Sequence, residues 1–319
     1  MNFFETIHNQ TVLVIGDVML DRYLLGQYNR LNPEAPVPLV AIELEENRLG
    51  GAANVALNLA SLGMNPYLLG IINDSDYEGK LLLDEMDAQK ISTSWIVKSD
   101  ARFTTTKIRI YAKDHYLLRY DRENNISLSN SEFRNVNEKI DEAFHYPIKA
   151  IIIEDYDKGV LNRQIIRNII QKANEKAVPV LVDPKYNNFW DYEGVYLFKP
   201  NLKELNQAMG TSIKAEEKDK LKDVIQCLRI KMPHQHTLVT LSEYGMVWMD
   251  NHDEWFETDG LPIVAKDVSG AGDTVISVIT ATVIANLPIQ QRIKLANEAG
   301  ATVCIQKGVV PIRQEDIKV

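Results

Sequence analysis

The sequence predicts an α/β fold with a mostly parallel central sheet and a small inserted β lid. Short apolar, β-branched runs alternate with helix-like segments along most of the 319 residues, as they do in βαβ units. Several of these runs end in Asp, Asn, Ser or Gly. Because ligands bind at the carboxyl ends of the strands in open α/β sheets, these polar ends predict one shared cleft.

The predicted elements follow from hydrophobic periodicity and from the positions of glycine and proline. Continuous apolar runs predict buried strands over residues 12–15, 66–72, 150–153, 178–182, 195–199 and 236–241. Apolar-rich segments bounded by helix start and stop signals predict helices over residues 54–62, 77–89 and 163–176. This order suits a parallel sheet, because each crossover between parallel strands needs a long connection that is usually helical.

Two segments interrupt the alternation and predict the lid, at about residues 32–46 and 102–122. The first is Pro-rich and then strand-like. The second indicates two strands, 106–111 and 116–120, joined by a polar turn near Lys113-Asp114. Together they predict a small antiparallel flap, which at the mouth of a cleft can act as a lid. The alternative is an edge hairpin with no role in the site.

Composition and charge argue against several classes of protein. The chain is 45% hydrophobic and 25% charged, as soluble globular proteins are. Its net charge of −9 argues against a nucleic-acid binder, which normally carries a basic excess. We find no apolar window long enough for a membrane span and no signal peptide, so we expect a cytoplasmic protein that does not contact membranes. None of the six histidines has the spacing of a metal site, and His234 and His236 are predicted to be surface or turn residues.

The strongest site signal is DVSGAGDT, residues 267–274, followed by an apolar helical run. The small residues Gly270, Ala271 and Gly272 let the backbone approach a ligand, and a helix N-terminus offers free N–H groups to an anion. Asp273 is ionised at neutral pH and can accept a hydroxyl proton while that oxygen attacks phosphorus. The alternative is that Asp273 is only a helix N-cap.

Two further motifs carry chemistry. In GGAAN, the glycines Gly50 and Gly51 permit close contact with a ligand, and Asn54 offers the donor and acceptor that sugar hydroxyls need. In NLKE, Asn201 and Glu204 share one helical face and can hold the water shell of Mg²⁺. A tight turn with a helix cap is the alternative for the first motif, and a capping box is the alternative for the second.

The combination of GGAAN, NLKE and DVSGAGDT resembles the PfkB, or ribokinase-like, carbohydrate kinases over essentially the whole chain. The resemblance implies one kinase domain over residues 1–319, folded as a ribokinase-like three-layer sandwich with a lid. It implies ATP and Mg²⁺ as cofactors, Asp273 as catalytic base, and residues 270–272 as the anion hole. It places a monovalent cation such as K⁺, bound by many relatives, near Asp267 and Ser269.

The remaining expected site residues divide between two ligands. For the sugar, the residues expected are Asp17, Asp21, Gly50, Gly51, Asn54 and Asp155; for Asp17 and Asp21, capping and turn roles are equally open. For the nucleotide and Mg²⁺, the resemblance implies Lys185, Asn201, Glu204, Thr240, Ser242, Gly245 and Asn297, with Glu204 reaching the metal through water.

Three further segments, GDVMLDRY, NPEAPVP and DPK, resemble the kinases of ADP-heptose synthesis. This implies phosphorylation of the anomeric hydroxyl of D-glycero-β-D-manno-heptose 7-phosphate on the route to lipopolysaccharide core. Many such kinases are fused to a nucleotidyltransferase. We expect a stand-alone kinase here, with a separate nucleotidyltransferase in the same pathway.

A sugar that already carries a phosphate needs a cationic pocket away from the attacking hydroxyl. Lys107 and Arg109 alternate on a predicted lid strand and therefore face the same way, and Arg119 lies on the next strand. The alternative is that these are solvated lid charges. Another sugar substrate, or a non-catalytic sugar-binding protein of the same fold, also stays open, whereas the missing GxGxxG disfavours a nicotinamide dehydrogenase. Exposed lid strands predict a homodimer.

Overall fold

The computed structural model describes residues 2–113, 115–123 and 125–318, without the side chains of residues 29–31. Its strands are β1 (Thr11–Gly16), β2 (Val18–Leu31), β3 (Pro38–Gly51), β4 (Asn65–Leu69), β5 (Ile71–Ile72), β6 (Val97–Lys98), β7 (Thr105–Ala112), β8 (His115–Arg122), β9 (Ile148–Glu154), β10 (Val180–Asp183), β11 (Leu197–Phe198), β12 (His236–Thr240), β13 (Met246–Met249) and β14 (Trp255–Thr258). Its helices are α1 (Phe3–Ile7), α2 (Ala52–Ser61), α3 (Tyr77–Ala88), α4 (Asn130–Ala143), α5 (Arg163–Glu175), α6 (Leu202–Met209), α7 (Lys218–Lys231), α8 (Ala271–Ile284) and α9 (Ile289–Cys304).

Eight strands form the central sheet in the order β14-β13-β12-β11-β10-β9-β1-β4. The six strands from β12 to β4 in this order run parallel, and β13 and β14 are antiparallel at one edge. Alternate residues of β1 pack into two different apolar clusters, Val12 and Val14 on one face and Leu13 and Ile15 on the other. Burial on both faces explains why this strand is a continuous apolar run.

Helices cover both faces of the sheet. Buried side chains of α2, α8 and α9 join the cluster on one face, and those of α4, α5 and α7 join the cluster on the other. The three layers confirm the predicted α/β sandwich with its mostly parallel sheet. The predicted strand over residues 66–72 differs in detail, because it divides at Gly70 into β4 and β5, and β5 pairs with β6 in a separate two-stranded sheet.

The lid is larger than the sequence predicts. It is a four-stranded sheet in the order β3-β2-β7-β8, and β2 and β3 each have 14 residues. The predicted segments omit β2, since its first six residues are all buried and so do not alternate between apolar and polar. The flap is also mixed rather than antiparallel, because β2 and β7 run parallel. Lys113 follows β7, and its predicted turn partner Asp114 lies outside the described residues.

Two histidines expected at the surface or in turns are both buried, His234 in the segment before β12 and His236 as the first residue of β12. His234 bonds to the carbonyl oxygen of Met232 through Nδ1 and to Oγ1 of Thr237 through Nε2, both at 2.7 Å. Burial lowers the pKa of His234 and of His236 to about 4, so both rings are neutral near pH 7. In the part of the chain that the structure describes, no helix is both long and apolar enough to cross a membrane.

Candidate active site

The DVSGAGDT segment forms the N-terminus of α8. Gly270 precedes the helix at φ +80° and has no side chain to cap it, so the free N–H groups of the first turn are available to an anion. A Cβ on Gly270 would lie 2.8 Å from Asn54 Nδ2 and 3.2 Å from Val309 Cγ1. Only glycine combines this left-handed backbone with so close a contact. Gly270, Ala271, Gly272 and Asp273 all line one cleft, which has a volume of about 530 Å³.

Asp273 is not a helix cap. It lies inside the first turn of α8 and is 3% exposed. Its Oδ2 accepts a hydrogen bond from Asn54 Nδ2 at 2.7 Å, and its Oδ1 accepts one from the Tyr156 hydroxyl at 2.8 Å. The pKa of Asp273 is raised on balance, because the effect of burial exceeds that of these two hydrogen bonds, which lower it. The carboxylate is therefore held in one orientation by two donors that favour its charged form.

The GGAAN segment carries the chain from β3 into α2. Gly51 has φ +56°, and a Cβ on Gly50 would lie 2.2 Å from Asp21 Oδ2, so glycine is needed at both positions. Asn54 is fully buried and donates to Asp273. Asn54 therefore orients the carboxylate, and its contact with sugar hydroxyls stays a prediction. The alternative of a tight turn with a helix cap is wrong, because β3 runs to Gly51 and α2 begins at Ala52 without a side-chain cap.

Asp17 and Asp155, both predicted to contact the sugar, each have several protein partners. Asp17 accepts the backbone N–H groups of Tyr156, Lys158 and Val160 at 2.8, 3.1 and 3.3 Å. Burial, with the nearby charge of Asp155, raises the pKa of Asp17 to about 6. Asp155 accepts the Tyr192 hydroxyl at 2.7 Å and Asn188 Nδ2 at 3.0 Å. Both carboxylates thus order the loop after β9 that carries Tyr156.

Two of the three lid cations already have carboxylate partners. Arg109 makes a short buried ion pair with Asp21, and Arg119, which is half exposed, pairs with Asp121 at 2.9 Å. The expectation that Lys107 and Arg109 face the same way agrees with the strand register, in which their partners on β2 are Asp21 and Tyr23. Lys107 lies 4.8 Å from the ring centre of Tyr156, and burial lowers its pKa. Lys107 is thus the predicted lid cation closest to the base.

The predicted nucleotide residues come together on the other side of Asp273. The cleft that contains Asp273 is also lined by Lys185, Asn201, Thr240, Ser242, Gly245 and Asn297. These residues come from four separate stretches of the chain, and most of them lie at or after the carboxyl ends of β10, β11 and β12. The predicted relation between strand ends and a shared cleft is therefore confirmed.

The NLKE segment forms the capping box of α6. Asn201 Oδ1 accepts the N–H of Glu204 at 2.9 Å, and Glu204 Oε2 accepts the N–H of Asn201 at 2.8 Å. The second oxygen, Glu204 Oε1, lies 2.6 Å from Lys185 Nζ at the cleft. Among the described residues, no cluster of three or more His, Cys, Asp or Glu side chains could hold a metal ion. Asn201 and Glu204 suit Mg²⁺ bound through water, because this ion keeps several waters in nucleotide sites.

Four residues near the site were not identified from the sequence. They are Tyr156 and three strand-end residues, Glu154, Asp183 and Lys199. The residue two positions before each of these three lies on the same face of its strand and belongs to the apolar cluster that includes α8. Glu154, Asp183 and Lys199 therefore face the start of that helix. Lys199 Nζ lies 2.7 Å from Asp183 Oδ2, and both are buried. Neither carboxylate oxygen of Glu154 has a hydrogen-bond partner within the described ranges. The rule that polar strand ends line a cleft pointed to Glu154 and Asp183, whereas Tyr156 had no signal.

Comparison with known proteins identifies the family. The model of the pfkB family of carbohydrate kinases matches residues 9–315. The chain belongs to the PfkB carbohydrate kinases. It is therefore a phosphotransferase that acts on a sugar hydroxyl, and the predicted resemblance is confirmed.

Among its relatives is the bifunctional protein HldE of Vibrio parahaemolyticus serotype O3:K6, 37% identical over 309 residues, which covers 96% of this chain and 62% of that protein. The HldE protein of Helicobacter pylori strain G27 is 36% identical over 313 residues, covering 96% and 65%. The chain thus spans somewhat under two thirds of the length of these relatives.

Solved structures agree on the fold. Phosphofructokinase-2 from Escherichia coli in complex with potassium has a TM-score of 0.78 at 17% identity, over 97% of this chain and 96% of that one. Ribokinase from Arabidopsis thaliana, complexed with ribose and ATP, has a TM-score of 0.73 at 15% identity, over 97% of both chains. At these identities the likeness establishes the ribokinase-like fold and nothing finer.

Proposed function

We propose that this kinase transfers the γ-phosphate of ATP to the anomeric hydroxyl of D-glycero-β-D-manno-heptose 7-phosphate, forming the 1,7-bisphosphate for ADP-heptose and lipopolysaccharide core synthesis. The observation that carries phosphoryl transfer is the buried Asp273, oriented by Asn54 and Tyr156 at the N-terminus of α8. The sugar is supported by the heptose-kinase segments GDVMLDRY, NPEAPVP and DPK and by the HldE relatives.

In the proposed step, the sugar oxygen attacks the γ-phosphorus while the bond to the bridging oxygen of ADP breaks. The hydroxyl proton passes to Asp273, and the N–H groups of residues 270–272 stabilise the charge on the transferring phosphoryl group. Lys185, already at the cleft, would meet phosphate charge. Mg²⁺, held through water by Glu204 and Asn201, would neutralise the phosphate oxygens.

The 7-phosphate end of the sugar would meet Lys107 first. Arg109 is neutralised by Asp21 and Arg119 lies at the surface, so Lys107 is the predicted cation with access to a phosphate near the base. Its burial lowers its pKa, and a phosphate partner would raise that pKa again. Asp21 and the Gly50-Gly51 turn are the proposed contacts to the sugar hydroxyls.

A panel of sugars tests the substrate. We expect ADP release with heptose 7-phosphate and far slower release with fructose 6-phosphate, fructose 1-phosphate, ribose or a nucleoside. Turnover of one of these sugars without turnover of heptose 7-phosphate would overturn the substrate assignment. Asp273→Asn should keep nucleotide binding and lower kcat by orders of magnitude. Sugar binding without turnover by the unmodified protein would instead favour a non-catalytic role.

We also propose a cytoplasmic homodimer formed through the lid, with a nucleotidyltransferase acting in the same pathway. The strands at the two edges of the lid sheet, β3 and β8, expose apolar side chains at Ile42, Leu44, Tyr116, Leu118 and Tyr120. Such a surface on an open sheet edge suits a second copy of the chain. Light scattering should give the mass of a dimer, and a monomer at all concentrations would contradict the proposal.

A further inference from the structure

The place expected for a monovalent cation is already filled by protein donors. Asp267 Oδ1 accepts the N–H of Ser269 at 2.9 Å, and Asp267 Oδ2 accepts the N–H of Gly308 at 3.2 Å. A bound cation needs oxygen lone pairs directed at it. Here each carboxylate oxygen already accepts one backbone N–H group, so fewer lone pairs remain for an ion.

A lid arginine reaches the same loop through one guanidinium nitrogen, while its other terminal nitrogen pairs with Glu46 at 2.7 Å. Arg48 Nη1, from β3, donates to the carbonyl oxygens of Lys307 and Val309 at 2.7 and 3.1 Å. These are two oxygens on either side of Gly308, the residue that contacts Asp267. The planar guanidinium is always charged and presents several donors at fixed angles, so one group can bind both carbonyls.

The loop is shaped to receive this arginine. Gly308 has φ +70°, and a Cβ there would lie 2.5 Å from Arg48 Nη1 and 2.8 Å from Tyr23 Cζ. The Arg48 guanidinium lies 4.8 Å from the ring centre of Tyr23, and the Tyr23 hydroxyl accepts the N–H of Val309 at 3.0 Å. Side chains from β2 and β3 therefore clamp residues 307–309 from the lid.

The clamped loop contacts the proposed phosphoryl site. Val309 packs against Gly270, where an added Cβ would lie 3.2 Å from Val309 Cγ1. From the other side, Arg109 Nη2 donates to Ser269 Oγ at 3.4 Å. Lid arginines thus brace both segments that flank the start of α8, and a shift of the loop would move the N–H groups of the anion hole.

We propose that the Arg48 guanidinium acts as a built-in cation, taking the place of a monovalent ion beside Asp267 and tying the lid to the anion hole. The kinase then needs no K⁺ for stability or turnover. The inference rests on the proposed role of residues 270–272 in phosphoryl transfer. The measurement of thermal stability needs no substrate, so it tests Arg48 independently of that role.

The test compares the protein in buffers whose only monovalent cation is K⁺, Na⁺ or choline, at equal ionic strength. The unmodified protein should have the same Tm in all three and a kcat that varies less than about twofold. Arg48→Met keeps an apolar stem and loses the charge-assisted hydrogen bonds, so kcat in choline should fall about tenfold or more. K⁺ should raise both the Tm and the kcat of this variant.

Arg22→Met is the matched control. Arg22 is a lid arginine on the opposite face of β2 from Tyr23, and it pairs with Glu45 at 2.7 Å. This variant should remain insensitive to the cation. If Arg48→Met does not fold, Arg48→Lys should show an intermediate dependence on K⁺, because one ammonium cannot reproduce the guanidinium fork.

Two results would overturn the proposal. One is an unmodified protein whose Tm is several degrees higher, or whose kcat is several-fold higher, in K⁺ than in choline. The other is an Arg48 variant whose Tm and kcat do not respond to the cation. A protein that turns over no sugar at all would refute the proposed function while the Tm comparison still decides the role of Arg48.

Discussion

Glu154→Gln should stabilise the protein, and increasingly so as the pH rises. Glu154 ends β9 with both carboxylate oxygens buried and without a hydrogen-bond partner in the described part of the chain. Burial, followed by the charges of Asp183 and Asp273, raises its pKa well above the ordinary 4.5. The folded protein therefore holds this proton at a pH where the unfolded chain has lost it.

The sign and size of the effect follow from linkage. Above pH 4.5, the folded state binds one more proton at Glu154 than the unfolded state, so stability falls as the pH rises. The loss approaches about 1.4 kcal/mol per pH unit for one proton, and it stops once the pH passes the raised pKa. Glutamine has the same shape and no proton to lose, so the variant escapes this loss.

Urea unfolding of both proteins at several values between about pH 5 and pH 8 measures the difference. We expect the free-energy advantage of Glu154→Gln to grow through this range and then level off. Glu132→Gln is the control. Glu132 is a buried glutamate. Burial alone would raise its pKa, but hydrogen bonds, above all from Arg102, stabilise the carboxylate and lower the pKa to about 2. It does not titrate in this range, so its loss should cost about 3–5 kcal/mol at every pH.

The reasoning about Glu154 would be refuted by a glutamine variant that is less stable than the parent at every pH. That result would mean that the carboxylate is ionised and stabilised by Lys199. A stabilisation that does not change with pH would contradict the raised pKa.

Three further predictions concern the proposed base. Tyr156→Phe removes the 2.8 Å hydrogen bond to Asp273. A hydrogen bond to a charged group contributes ~1.5–3 kcal/mol, so kcat/KM should fall about 10- to 100-fold with ATP binding unchanged. An unchanged rate would count against this contact. Asn54→Ala removes a hydrogen bond that lowers the pKa of Asp273, so the acid limb of the rate profile should move to higher pH, and an unmoved limb would contradict this. Gly270→Ala places a Cβ at φ +80° and 2.8 Å from Asn54 Nδ2, so thermal unfolding should show a loss of about 1–3 kcal/mol; an unaltered Tm would mean that the loop relaxes.

Much of the fold could be predicted because its signals are local. A strand buried on both faces must be apolar throughout, and β1, β9, β10 and β12 were recognised on that basis. The same principle explains the missed strand β2. Its first residues are buried like a core strand, but they follow β1 after a single residue and belong to the lid. No local pattern distinguishes those two sheets.

Backbone features of the site were also local. The glycines before α2 and α8 mark positions where the chain needs a positive φ or a close approach, and the sequence shows this directly. The capping box of α6 depends on two residues three apart, so it was foreseen as an alternative and is present. Short-range chemistry of this kind needs no knowledge of the tertiary fold.

The sequence by itself determined the family, the α/β sandwich and the position of Asp273 at a helix N-terminus. Only the tertiary structure decided which groups touch that carboxylate. Its partners Asn54 and Tyr156 lie 219 and 117 residues away along the chain. Likewise, folding brings Asp17 to backbone N–H groups of the loop after β9, and Arg109 to Asp21, which are distant along the chain. A buried charge must find partners in three dimensions, and those partners are set by packing rather than by sequence neighbours.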